Sequence, residues 1–282
     1  MKHLQRSNLR YPGLWRGCVG AWAPCLGPTG LTLRDWSGFG NHGTLTNMDA
    51  AGDWAASGGR YALDFDGSND HVLCSSLTVG NLGTSNATLS VWVNTANANA
   101  SRGFINKREF SGSFQQWSLL QGGVDTGGQP VLAKYITLFW YNGGALNSPA
   151  AVQNYRTTND YVDGKMHHFA VTRTNGTIPR FYVDGNEVAV TAVVDGQNNI
   201  NADSTKAIEI GSAARGAATV LGQVDDARVY SRALSASEIR LLASRRGIAY
   251  ETNRNRQYNS AATAARLCNI FTGNSLEIIG AP

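Results

Sequence analysis

The segment 180-RFYVDGNEV-188 sets Asp184-Gly185 between two runs in which apolar and polar residues alternate. A period of two marks a strand with one buried face. Asp-Gly between two such runs predicts a two-residue hairpin, because that turn needs φ > 0 at its centre. Working outward, YALDFDG (61–67), HVLCSSL (71–77), ATLSVWVNT (87–95), RGFINKR (102–108), QWSLLQ (116–121), YITLFWYN (135–142), HHFAVTRT (167–174), KAIEIGS (206–212) and GQVDDARVY (222–230) carry similar β-branched or aromatic alternation. The connections include DGSND, TGG, NGG, VDGK and TNGT, which are turn chemistries. About ten short strands joined this way predict an all-β, two-sheet antiparallel sandwich.

Composition agrees with that reading. Among 282 residues, 32 are Gly and only 16% are charged, which suits many strands and tight turns. No run of eighteen or more apolar residues occurs, so no transmembrane helix and no membrane partner are expected. The first residues, MKHLQRSNLRYPGLWRGCVGAW, lack the continuous apolar core of a secretory signal, which implies synthesis without export. Cys18, Cys25, Cys74 and Cys268 form no CxxC pair and no zinc spacing with His. They read as free buried thiols, with a Cys18–Cys25 bridge as the alternative.

Net charge is +4, and the stretch from Arg232 onward, with seven Arg and three Glu, accounts for all of it. A basic excess confined to the tail, with no aromatic stacking platform, argues against nucleic acid as a partner. Within that stretch, Ser235 followed by Glu238 forms a capping box, and Ile239, Leu241 and Leu242 supply the apolar side of one short helix. Arg245 and Arg246 are expected in its last turn, with Gly247 as its stop. The remainder is polar and rich in Asn and Arg before a short apolar ending, so residues 1–13 read as an N-terminal arm, 14–247 as the domain and 248–282 as an irregular C-terminal extension.

The segment 224-VDDARVYSRALSASEI-239 poses a question of charge. On strict alternation Asp225 shares a face with Ala227 and Val229, while Asp226 and Arg228 pair on the other side. A carboxylate on a core face needs a partner, since an unpaired one costs several kcal/mol. Backbone N–H groups, an arginine or a bound cation would serve.

VGAWAPCLGPTGLTLRDWSGFGNHGTL (19–45), ALDFDGSNDHV, LSVWVNT, DGKMHHFAVTRTNGTIPRFYVDGNEV and GQVDDARVYSRALSASEIRLL follow one another as do the landmarks of the laminin-G-like, concanavalin A-like jelly-roll domains, a family this chain resembles over roughly residues 17–247. The resemblance implies a jelly-roll sandwich of two curved sheets, often with bound calcium, in carbohydrate or protein adhesion. DWSGFGNHG (35–43) resembles the family's Asp-x-Ser-Gly-x-Gly-Asn-x-Gly loop, so Asp35, Asn41 and Asp225 are the expected ligands of a structural Ca2+, a hard cation that prefers oxygen. The alternative is a turn held by Asx-type hydrogen bonds, with Asp225 capped by backbone amides. His42 is read as a packing residue, and Asp66, Asp70 and Asp163 as turn acceptors. His167 and His168, being adjacent on a strand, must face opposite sides.

Some relatives of this fold are glucanases or lyases, and the glucanases need two carboxylates on alternate positions of one strand. No Glu-x-Asp-x-Glu occurs; the glutamates are scattered, and only Glu209 sits in an apolar strand. GxSxG, HExxH, P-loop and GxGxxG motifs are absent too, so no enzyme activity is expected. Trp54, Trp117, Trp140 and Tyr141 are the candidates for stacking on a sugar, against a reading in which they fill the core. The expected function is a non-enzymatic, surface-displayed structural or adhesion protein, such as a decoration or fibre-associated subunit of a phage virion. RRGIAYE (245–251) resembles a segment that follows this domain in some phage-encoded proteins. Arg245, Arg246, Arg254 and Arg256 would contact other virion proteins or copies of the chain, with a glycan as a further ligand and the virion surface as the location. The alternative is a free, extracellular lectin-like module, with a glycoside hydrolase or lyase as a third reading.

Overall fold

The computed structural model describes residues 8–96, 101–107, 115–123, 134–142, 148, 151–196, 206–213 and 218–253. Its strands are β1 (Cys18–Trp22), β2 (Thr32–Leu33), β3 (Gly43–Thr46), β4 (Trp54–Ser57), β5 (Arg60–Asp66), β6 (His71–Cys74), β7 (Ala87–Thr95), β8 (Arg102–Lys107), β9 (Gln115–Gln121), β10 (Ile136–Asn142), β11 (Val152–Thr157), β12 (Met166–Arg173), β13 (Arg180–Val183), β14 (Asn186–Val188), β15 (Val190–Val194), β16 (Glu209–Ile210) and β17 (Leu221–Tyr230), followed by one helix, α1 (Ala236–Leu242). They form an eight-stranded sheet in the order β14-β13-β12-β7-β17-β5-β4, with β1 also on β17, and a nine-stranded sheet in the order β15-β11-β10-β9-β8-β16-β6-β3-β2. The pairings between these strands are antiparallel.

One apolar core lies between the sheets. Leu89, Val91 and Val93 of β7, Phe169 and Val171 of β12, and Phe181 and Val183 of β13 meet Trp117 and Leu119 of β9 and Leu138 and Trp140 of β10 there. Successive residues of each strand point to opposite faces, so the residues between these turn away from the core. The hairpin read from Asp184-Gly185 is present: Val183 pairs with Asn186, and both turn residues have positive φ, 49° and 82°.

β17 departs from strict alternation. Asp225 pairs with Trp92 and Arg228 with Ser90, so β17 carries one residue more than β7 over that step, a β-bulge in which Asp226 adopts φ 41°. The extra residue resets the faces. Val224, Ala227 and Val229 all reach the core, and Asp225 turns away from it together with Arg228 and Tyr230. The expectation that Asp225 shares the face of Ala227 and Val229 is therefore corrected, because alternation read from sequence carries no sign of an inserted residue. The bulge falls where one neighbour of β17 changes: β5 pairs with it through Val224, and β1 pairs with it from Ala227.

α1 opens as expected on the Ser235–Glu238 capping box and buries Ile239 and Leu242, but its C-cap is Ala243, so Arg245 and Arg246 lie beyond its last turn. The described residues group into two units, Trp15–Ile248 and one drawn from both ends of the chain. In the latter, the Arg10 amide donates to the Glu251 carbonyl at 2.7 Å and the Asn253 amide to the Asn8 carbonyl at 2.8 Å.

Candidate functional site

The early glycine loop is a hydrogen-bonded turn built on one acid. Asp35 Oδ1 accepts from the amides of Ala21 (3.0 Å) and Ser37 (2.8 Å), and Oδ2 accepts from the Asn41 amide (2.9 Å) and the Ser37 hydroxyl (2.8 Å). Asn41 Oδ1 accepts from the Ser76 amide at 2.6 Å, and His42, exposed rather than packed, accepts the Asp35 amide on Nδ1.

Asp225 lies elsewhere in the network. Its Oδ1 accepts from the Cys25 amide at 2.9 Å, and Arg246 Nη1 stands 3.4 Å from Oδ2, within ion-pair range. Asp226, next to it, pairs with buried Arg228 at 2.8 Å and accepts the Gly247 amide at 2.9 Å. Burial, reinforced by the charge of Asp226, pushes the Asp225 carboxyl up to about 7. These acids hold the segments flanking the bulge. The oxygens of Asp35 are thus engaged by N–H and O–H donors, and Asp225 stands beside a guanidinium, with its Oδ2 making no hydrogen bond. Among the described residues no group of three or more His, Cys, Asp and Glu side chains could hold a metal ion.

Arg246 is buried in this network and also donates to the carbonyls of Ser57 and Tyr61, which removes it from the expected assembly surface. Arg245 is exposed. Arg254 and Arg256 lie outside the described residues, as does Cys268. Cys18, Cys25 and Cys74 are free and buried. The two adjacent histidines do part: His168 is fully buried against Ser90 (2.9 Å) and Trp92, while His167 lies between Asp184 (2.7 Å) and Asp163 (3.1 Å). Asp66 and Asp70 accept turn amides, from Ser68 and Asp66 respectively.

The aromatic candidates separate by face. Trp54, Trp117 and Trp140 belong to the core; Trp117 stacks on Trp140 at 6.5 Å, and Trp117 and Trp54 donate to the carbonyls of Gly80 and Gly30. No face of these three rings is open to a sugar, which corrects that expectation. Tyr141, one residue beyond Trp140, turns to the outer side of the nine-stranded sheet. There it meets Phe139, ring centroids 5.7 Å apart, in a second apolar cluster with Val152 and Val194.

That outer face carries a feature the sequence did not announce. Strand pairing aligns Glu209, Asn106, Ser118, Phe139 and Asn154 in a single row across five strands, β16, β8, β9, β10 and β11. Asn106 and Ser118 are 0% exposed and Asn154 1%. Asn106 donates through Nδ2 to the Ser212 carbonyl at 2.6 Å, which leaves its Oδ1 without a partner; the Ser118 hydroxyl and both amide atoms of Asn154 have none either. Each such group costs about 1–3 kcal/mol if left unsatisfied. Unpartnered polar atoms gathered in one row call for a ligand or water to complete them. Gly103 helps seat the row: a Cβ there would lie 2.5 Å from Asn106 Nδ2 and 2.4 Å from the Ala213 amide nitrogen. The opposite sheet has an open groove of about 830 Å³, floored by Thr172 and Tyr182 and rimmed by Ile178, Arg180 and Glu187.

The sequence profile of the concanavalin A-like lectin/glucanases superfamily matches residues 66–240, more than half of the chain. The chain belongs to that superfamily. A comparison with curated proteins finds no match. Among solved structures, the family fold recurs in domain 4 of an extracellular arabinanase from Geobacillus stearothermophilus in complex with arabinotriose (TM-score 0.57, 18% identity, 80% of this chain and 98% of that one). It recurs in the binding domain of botulinum neurotoxin serotype D (TM-score 0.57, 14% identity, 82% and 51%) and in Trypanosoma rangeli sialidase (TM-score 0.55, 16% identity, 84% and 34%). The chain thus spans about a third of the sialidase and half of the toxin domain. At these identities the likeness is one of fold.

Proposed function

We propose that the chain is a non-enzymatic, lectin-like binding module. The observation that carries this is the two-sheet antiparallel fold with its superfamily match over residues 66–240. The superfamily match and the arabinotriose-bound neighbour support the reading. Glycoside hydrolysis needs a pair of carboxylates about the bond; Glu209 is the one carboxylate among the row residues named above. The full chain applied to a glycan array should retain at least one saccharide without cleaving it. Release of reducing ends, or no retention at all, would overturn the proposal.

Display on a virion, as a decoration or fibre-associated subunit bound to other virion proteins or to its own copies, is the finer reading. It is supported by the small unit in which residues 8–10 pair with 251–253, which groups apart from Trp15–Ile248. Mass spectrometry of purified particles should find the chain with capsid or tail proteins. A chain recovered only free in the medium would favour an extracellular lectin.

A further inference from the structure

We propose that His167 is a pH-operated tie between the segment that joins the two sheets and the Asp184-Gly185 hairpin, closed while its ring carries both protons and released when it loses one. The segment, residues 158–165, leaves β11 of the nine-stranded sheet and enters β12 of the eight-stranded one. Where it enters, the ring of His167 stands between two acids that belong to different turns. Nδ1 lies 2.7 Å from Asp184 Oδ2, and Nε2 lies 3.1 Å from Asp163 Oδ1. An ionised carboxylate only accepts, and a neutral imidazole has one N–H and one lone pair. Only the charged ring donates to both acids. On losing a proton it turns a lone pair toward one of them, and the longer bond, to Asp163, is the one given up.

Neither acid is free to swing away from that lone pair. Asp184 Oδ1 accepts the His168 amide at 2.9 Å, and the Asp184 amide donates to the His168 carbonyl at 2.9 Å. Asp163 Oδ1 also accepts the Lys165 amide at 2.9 Å, and its Oδ2 pairs with the Lys165 ammonium at 3.1 Å. Hydrogen bonds led by that of the Lys165 amide hold the Asp163 carboxyl down to about 2, so it stays ionised where the ring titrates. Of the remaining neighbours, Val93 opposite on β7 and the rings of Tyr161 and Phe169, at 6.4 and 5.9 Å, carry no charge in that range, and His168 points to the other face of β12. The bond to Asp184, opposed by burial and aided by the charge of Asp184 and the bond to Asp163, lifts the ring above its ordinary 6.5. A group raised in this way contributes fully below 6.5 and loses its contribution as pH climbs through the folded value, so the tie opens on the alkaline side.

The segment is the side that moves. The hairpin is held against α1, where a Cβ on Gly185 would lie 3.1 Å from Arg240 Cα. The segment keeps backbone bonds from the Thr158 amide to the Ala189 carbonyl (3.1 Å) and from the Gly164 amide to the Thr95 carbonyl (3.0 Å), so losing His167 loosens its far end without unfolding it. The side chains of His167, Asp163 and Asp184 are 17%, 41% and 46% exposed, so the tie adds little to global stability and its effect is local.

The test is an NMR titration of the full chain from about pH 5 to 9, following the His167 ring and the hydrogen-exchange protection of the Gly164 amide, corrected for the intrinsic effect of pH. His167→Gln identifies the ring signal among the five histidines. The ring is expected to titrate above 6.5, and protection at Gly164 to fall roughly threefold or more across the same midpoint. Asp163→Asn and Asp184→Asn should each lower that midpoint, Asp184→Asn by more, and in His167→Gln the protection should no longer depend on pH. If an Asp variant does not fold, the native titration decides by itself. A ring midpoint at or below 6.5, or one that Asp163→Asn and Asp184→Asn leave unmoved, overturns the tie. A raised midpoint with constant protection at Gly164 overturns the release.

Discussion

Asp225 and Asp226 stand side by side, yet each is answered separately. Asp225 takes the Cys25 amide and faces Arg246; Asp226 takes the Gly247 amide and Arg228. Removing an acceptor leaves its buried donor unsatisfied, at about 1–3 kcal/mol. Asp225→Ala is therefore expected to lower unfolding free energy by that order in urea titration, whereas a surface change such as Arg245→Ala should cost little. The pH dependence follows from two groups that oppose each other. Burial keeps Asp225 protonated up to about 7 in the folded state against an ordinary 3.8, so the folded chain holds a proton that the unfolded one has released, and this group favours folding as pH falls from 7 toward 4. Burial holds His168 down to about 4 against an ordinary 6.5, so the unfolded chain binds the extra proton, and stability is lost over the same descent. In the native protein the two contributions offset. Asp225→Asn removes one of them, and its melting temperature should drop between pH 6.5 and 5 more steeply than that of the native chain; parallel curves would show that Asp225 does not carry the proton.

At the scale of elements, local signals held where chemistry is dense. The Asp184-Gly185 turn and the Ser235–Glu238 box are legible because each rests on a few named side chains whose geometry is local. Ser235→Ala should cost about 1 kcal/mol, read as a lower midpoint in chemical denaturation. The strand that mattered most was the hardest to read. β11, VQNYRT, is polar on both faces: Gln153 and Tyr155 point one way, and Val152 and Asn154 the other. Its pattern looks like a loop, and it supplies Asn154. β8 and β9 were legible as strands, but nothing in the linear sequence aligned Asn106 with Ser118, since register between distant strands is a tertiary outcome. Trp140 and Tyr141 were named together, and only pairing tells which one faces out. The bulge at Asp226 shifted every side chain after it in the same unannounced way.

At the scale of the molecule, composition and turn spacing were enough to give a two-sheet sandwich, because that outcome depends on many weak signals that agree. The expected calcium depends on three side chains meeting, a tertiary outcome that no local pattern fixes; in the folded chain Asp35 accepts from amides and a hydroxyl, and Asp225 lies beside a guanidinium. With those oxygens engaged, thermal unfolding should be unchanged by EDTA or by added Ca2+; a rise of several degrees with Ca2+ that is lost in Asp35→Ala would restore the ion to that loop. The sandwich has a further consequence through β1 and β17. Their pairing joins Ala21 to Arg228, and the Cys25 amide reaches Asp225 across 200 positions of chain. During synthesis the first strand leaves the ribosome long before its neighbour exists, so the nascent chain carries an unpaired edge until the final strand emerges. Closure of this sheet therefore waits on a contact of long sequence separation, the kind that slows folding.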